Sequence, residues 1–120
     1  KRNGKGKEYN NNKLEYEGEY LNGKRNGKGK EYDGDDNLKY EGEYLYGKKH
    51  GKGKYYCDNG NLIFEGEYLY GLKIKGKEYH INGKLEFEGE FRYNRKWNGI
   101  GYDENGNKIY ELINGNGKVK

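Results

Sequence analysis

Tyr40-Glu41-Gly42-Glu43-Tyr44 decides the fold. Taken as a strand, it sends Tyr40, Gly42 and Tyr44 to one face and Glu41 and Glu43 to the other. A glycine between two rings weakens an isolated strand, because it packs nothing and loses backbone entropy. It makes sense where an aromatic ring lies across the bare backbone. The same arrangement recurs at Tyr16-Glu17-Gly18-Glu19-Tyr20, Phe64-Glu65-Gly66-Glu67-Tyr68 and Phe87-Glu88-Gly89-Glu90-Phe91. The central glycines stand at 18, 42, 66 and 89, a period of 24, 24 and 23, so the chain is a repeat array.

A second element follows each of these strands and closes on Tyr9, Tyr32, Tyr56, Tyr79 and Tyr102, with a glycine three residues earlier each time. Turn residues join the two, as in Leu21-Asn22-Gly23-Lys24 and Leu45-Tyr46-Gly47-Lys48. Asn, Asp and Gly clusters such as Asp33-Gly34-Asp35-Asp36-Asn37 lead into the next unit. The pattern predicts an all-β, elongated, single-layer antiparallel meander of hairpins, about 23–24 residues each. Its divisions are a partial repeat over 1–13, repeats over 14–37, 38–61, 62–84 and 85–107, and a partial repeat over 108–120. Lys1–Tyr9 duplicates Lys24–Tyr32, so the chain reads as a segment of a longer array.

Two registers satisfy the charges. A loop over residues 21–26 sets Glu19 opposite Lys28 and Glu17 opposite Lys30. A two-residue turn at Asn22-Gly23 sets Glu17 opposite Lys28 and Glu15 opposite Lys30. Either places Tyr16 or Tyr20 against Gly27 and Gly29. The stretch from the first strand's last ring to the closing Tyr shortens from 12 residues to 11 in the later copies. Loops tolerate such a loss best, so it is expected in the 21–26 connection.

Hydrophobic residues make up 30% of the chain and charged residues 37%, values close to those of disordered chains. Aromatics at 16%, in fixed phase, argue for a folded array. The absence of Ser and Thr removes hydroxyl nucleophiles of that kind. Cys57 stands alone, excluding an internal disulfide or a CxxC metal pair. Gly18 to Arg25 and Gly42 to Lys49 mimic phosphate-binding loops but lack the Ser/Thr and the helix. Asp33-x-Asp35-x-Asn37 opens like a calcium loop, yet Leu38 replaces the glycine and Tyr44 the bidentate Glu. His50, His80 and Cys57 form no catalytic set. The reading is therefore no enzyme, cofactor, metal or small-molecule substrate.

The run Tyr16-Glu17-Gly18-Glu19-Tyr20-Leu21-Asn22-Gly23-Lys24-Arg25-Asn26-Gly27-Lys28-Gly29 resembles a MORN (membrane occupation and recognition nexus) repeat, as does Tyr40 through Gly53. Tyr79-His80-Ile81-Asn82-Gly83-Lys84-Leu85 is similar to the bacterial MORN-variant repeat. Departures are Ile74 and Trp97 for the first Gly of Gly-x-Gly, Asn94 for the turn glycine, and Tyr110-Glu111-Leu112 without the strand glycine. The resemblance implies a non-catalytic scaffold acting in partner or self-association, or in membrane and phosphoinositide contact, usually beside another domain.

Two surfaces are candidates. An aromatic/glycine groove of Tyr16, Tyr20, Tyr40, Tyr44, Phe64, Tyr68, Phe87, Phe91 and Trp97 would receive a protein partner if some rings stay open, although internal packing is the commoner use of such a stripe. A basic edge of Lys24, Arg25, Lys28, Lys48, Lys49 and Lys52, opposite an edge rich in Asp, would meet anionic lipid or acidic protein, although plain solvation is the commoner use of such charges. A net charge of +4 with 20 acidic residues disfavours nucleic acid. The expectations are protein association through the groove and the open sheet ends, membrane attachment as the alternative, and a spacer for an enzyme domain elsewhere as a third. A cytoplasmic place, in association with membrane or cytoskeleton, goes with them.

Overall fold

A computed structural model describes residues 3–119. Lys1 and Arg2 of the first partial repeat and Lys120 of the last lie outside the described residues. The described chain forms eleven strands: β1 (Gly4–Asn10), β2 (Lys13–Leu21), β3 (Lys24–Tyr32), β4 (Leu38–Leu45), β5 (Lys48–Tyr56), β6 (Leu62–Leu69), β7 (Leu72–Tyr79), β8 (Leu85–Arg92), β9 (Arg95–Tyr102), β10 (Lys108–Ile113) and β11 (Asn116–Val119). They make one open antiparallel sheet in sequence order, 53 × 27 × 18 Å, as the hairpin period requires.

The register combines the two alternatives. Leu21 pairs with Lys24 across a two-residue turn at Asn22-Gly23, yet Glu17 pairs with Lys30 and Gly18 with Gly29. A bulge reconciles them, with Asn26, Gly27 and Lys28 lying opposite the single residue Glu19. The Lys28 N–H donates to Glu19 Oε1 at 3.3 Å, and Gly27 takes φ 94°. In the later copies only one extra residue, Ile74, separates the Tyr68–Lys73 and Glu67–Lys75 pairs. The residue lost there leaves the bulge, not the connection where a loop argument places it. Turns of two residues persist at Tyr46-Gly47, Tyr70-Gly71 and Tyr93-Asn94, with positive φ at both positions. Ile74 and Trp97 can replace glycine because the shorter bulge no longer needs a left-handed residue at that point.

Glycines pair across strands in one continuous row: Gly6–Gly18–Gly29–Gly42–Gly53–Gly66–Gly76–Gly89–Gly99. The rings lie over it. A Cβ at Gly53 would fall 2.6 Å from Tyr40 Cε1 and Cζ, and one at Gly42 would fall 2.6 Å from Gly53 Cα. Tyr16, Tyr40, Phe64 and Phe87 are 0–1% exposed, and Tyr20, Tyr44, Tyr68 and Phe91 4–6%. Alternating edge-to-face contacts link these eight into one zigzag, with centroids 5.3–5.6 Å apart. Such pairs each add about 0.5–1.5 kcal/mol beyond area burial.

A single sheet covers these rings because cations close the open side. Tyr20, Tyr44, Tyr68 and Phe91 pair with Arg25, Lys49, Lys73 and Lys96 on the neighbouring strands. Those four lie over Tyr16, Tyr40, Phe64 and Phe87 at 4.2, 4.7, 4.4 and 5.2 Å from the ring centres. Long side chains thus do the work of a second layer.

Candidate interaction surfaces

The eight stripe aromatics are the core, so no open aromatic groove remains among them. Four of their tyrosine hydroxyls are engaged: Tyr16 Oη donates to the Glu19 carbonyl at 3.1 Å, Tyr20 to Glu8 at 2.7 Å, Tyr40 to the Glu43 carbonyl at 3.3 Å, and Tyr44 to Glu31. Trp97 is half-buried, with the Arg92 guanidinium 4.5 Å over its ring.

The six basic candidates fall in three places. Lys24 and Lys48 open β3 and β5 beside the turns and are exposed. Arg25 and Lys49 lie inward over the rings. Arg25 Nε is 3.0 Å from Glu8 Oε2 and its Nη1 3.3 Å from Glu31 Oε2. Lys49 faces Tyr55, which stands where other copies have Glu31 and Glu78, and burial holds its ammonium below the usual lysine pKa. Lys28 and Lys52 belong to the opposite face of the sheet.

That opposite face is an open trough in two depressions of about 1030 and 680 Å³, with glycine backbone as floor and Glu and Lys as walls. One wall alternates Lys7, Glu17, Lys30, Glu41, Lys54, Glu65, Lys77 and Glu88 along successive pairs. The other carries Lys5, Lys28, Lys52 and Lys75 against Glu19, Glu43, Glu67 and Glu90. Positive and negative charges are equal in number, so the trough attracts neither sign at long range. Tyr32, Tyr56 and Tyr79 donate into its wall, to Glu17, Glu41 and Glu65 at 2.7, 3.1 and 2.5 Å.

At the two-residue turns the structure exposes residues that sequence reasoning passed over. Tyr46, Tyr70 and Tyr93 are 61, 56 and 78% exposed, with φ of 49, 46 and 52°. Bulky residues seldom adopt this conformation, whereas Asn22 and Asn114 fill the same slot at φ 53 and 52°. The signal in the sequence was a tyrosine at the first turn position, where asparagine is the favoured choice. Two of these tips are clasped by the unit before them: the Tyr46 N–H donates to Asn26 Oδ1 at 3.1 Å and the Tyr70 N–H to His50 Nδ1 at 3.2 Å. Segments 21–25, 45–49, 69–73 and 92–96 contain cations and no carboxylate.

The opposite loops are built by their own side chains. Asp33 Oδ1 accepts from the Asp35 and Asn37 N–H groups at 2.8 and 3.1 Å, and Asp103 serves the same role toward Asn105 and Asn107. Both carboxyls lie below the usual aspartate pKa through these backbone hydrogen bonds. Among the described residues no three His, Cys, Asp or Glu converge to hold a metal, and no helix is long and apolar enough to cross a membrane.

Fold and surface together define an all-β hairpin repeat protein with a repeating exterior. Residues 16–37 and 40–62 each match the family model of the MORN repeat, consistent with a MORN repeat array. The matched copies are those with the two-residue bulge and its left-handed glycine. A comparison with curated proteins finds no match.

Proposed function

We propose that this array is a non-enzymatic scaffold that mediates protein–protein association, including association with its own kind. MORN repeats generally mediate protein or membrane-lipid contact and are generally not enzymes. One observation carries the assembly reading. The aromatic stripe is buried as the core, while similar hairpin tips and trough walls recur at one pitch along a 53 Å rod. Such a surface suits several weak, evenly spaced contacts.

Attachment to an anionic membrane is the second reading, favoured by tip segments that carry cations and no carboxylates. Sedimentation across a concentration series, run beside pelleting with neutral and phosphoinositide-containing vesicles, separates the two. Concentration-dependent mass without pelleting supports assembly. Pelleting that reversal of Lys24 and Lys48 to Glu abolishes, with a monomer at all concentrations, supports the membrane and overturns self-assembly.

A further inference from the structure

The two long edges of the sheet differ in shape as well as charge. One bears protruding tyrosines at Tyr46, Tyr70 and Tyr93, with Leu69 and Leu72 also exposed and Lys24, Lys48, Arg92 and Arg95 beside them. The other edge holds a cavity of about 430 Å³ between the 33–37 and 57–61 loops. Leu38, Tyr55, Tyr56 and Ile63 give it apolar walls, Asp33 and Asp58 line it, and Lys39 is its one cation. Asp35 and Asp36 stand exposed nearby.

We propose that a hairpin tip of one copy docks into this cavity of a second copy, its tyrosine ring against the Leu38–Ile63 wall and its lysine toward Asp33 and Asp58. This rests on the self-association reading above and names its contact.

Three features support it. First, the tyrosines occupy left-handed backbone where the sister turns use asparagine, and strain kept at an exposed ring points to a task for that ring. Second, the charges are complementary, with carboxylate-free tips facing an aspartate-rich rim. Third, both edges repeat every two strands, about 10 Å, so a docked tip brings its neighbours alongside the adjacent loops. Knob and cavity lie on different surfaces of one molecule, so the contact is head-to-tail and leaves a free knob and a free cavity at every stage.

The test uses the full chain and two variants. One carries Tyr46→Asn, Tyr70→Asn and Tyr93→Asn, which restore the residue of the sister turns and keep the fold. The other carries Asp58→Lys and Ile63→Arg, which close the cavity, and its folding is verified by circular dichroism. The unmodified chain is expected to gain mass with concentration and lose it with added salt. Each variant alone is expected to associate roughly tenfold or more weakly. A mixture of the two should form a dimer that grows no further, since only one tip face and one cavity remain competent. If the tyrosine variant assembles like the unmodified chain, tip docking is overturned while self-association through another surface stands. If the unmodified chain is monomeric throughout, both fail.

Discussion

The ring of Tyr40 lies over the bare Cα of Gly53 on the next strand, where a Cβ would sit 2.6 Å from two ring carbons. The same relation joins Phe64 to Gly76 and Phe87 to Gly99, so one contact, repeated, holds the array. The glycine row is the surface on which the core rests.

Gly42→Val should therefore destabilise strongly. Its Cβ would meet Lys52 O and Gly53 Cα at 2.6 Å, and backbone cannot yield as a flexible side chain does. Overpacking of this kind costs about 1–3 kcal/mol or more. Urea denaturation measures it, and an unchanged midpoint would refute the ring-on-backbone account. Gly47→Asn is the control: nothing lies within 4 Å of a Cβ there, and asparagine tolerates positive φ.

Adjacent cations should behave oppositely. Arg25→Ala leaves Glu8 and Glu31 without their shared partner and uncovers Tyr16, at a cost of about 2–4 kcal/mol. Lys24→Ala, on an exposed side chain, should stay within about 0.5 kcal/mol. Equal melting temperatures for the two variants would show that the guanidinium does not roof the ring.

Alkali should weaken the fold through the tyrosines. Burial first, then neighbouring charges and hydrogen bonds, push Tyr16, Tyr32 and Tyr79 up to about 12, and Tyr40, Tyr44 and Tyr68 are raised further. A free tyrosine ionises near pH ~10. The folded pKa values exceed the unfolded one, so this stabilisation is complete below pH ~10 and is lost as pH rises toward ~12. Denaturation midpoints should fall across that window while phenolate absorbance lags behind a tyrosine peptide. A midpoint flat through the window would contradict the burial described.

His50 closes the clasp that Asn26 closes one unit earlier. His50→Asn should preserve stability, since the amide oxygen can accept the Tyr70 N–H as Asn26 accepts that of Tyr46. His50→Ala should cost about 1 kcal/mol by leaving that donor to water. Equal loss in both variants would assign the effect to the His50–Tyr70 ring contact at 4.7 Å instead.

Strands, order and ring-over-glycine packing were legible because alternation and the 24-residue period leave little choice. The register was not, because charges alone cannot distinguish a long loop from a tight turn followed by a bulge. Gly27 marked the bulge, but only its φ of 94° shows why glycine stood there. What closes the open side of the stripe was also hidden. Arg25 and Lys49 read as edge charges beside a turn, and nothing in their spacing says that they fold inward over Tyr16 and Tyr40. Tyr46 was legible as a turn residue, but a place in a turn does not say how far its ring stands out into solvent.

Each strand shares its backbone ladder only with the strands immediately before and after it along the chain. Excising a whole hairpin, from Tyr40 through Ile63, would bring Lys39 to Phe64 and leave every surviving strand beside a partner of the kind it already had. Such an array can be shortened or lengthened in 24-residue steps by recombination within its own coding repeats. Its reach is thereby set by copy number, independently of the packing that keeps it folded.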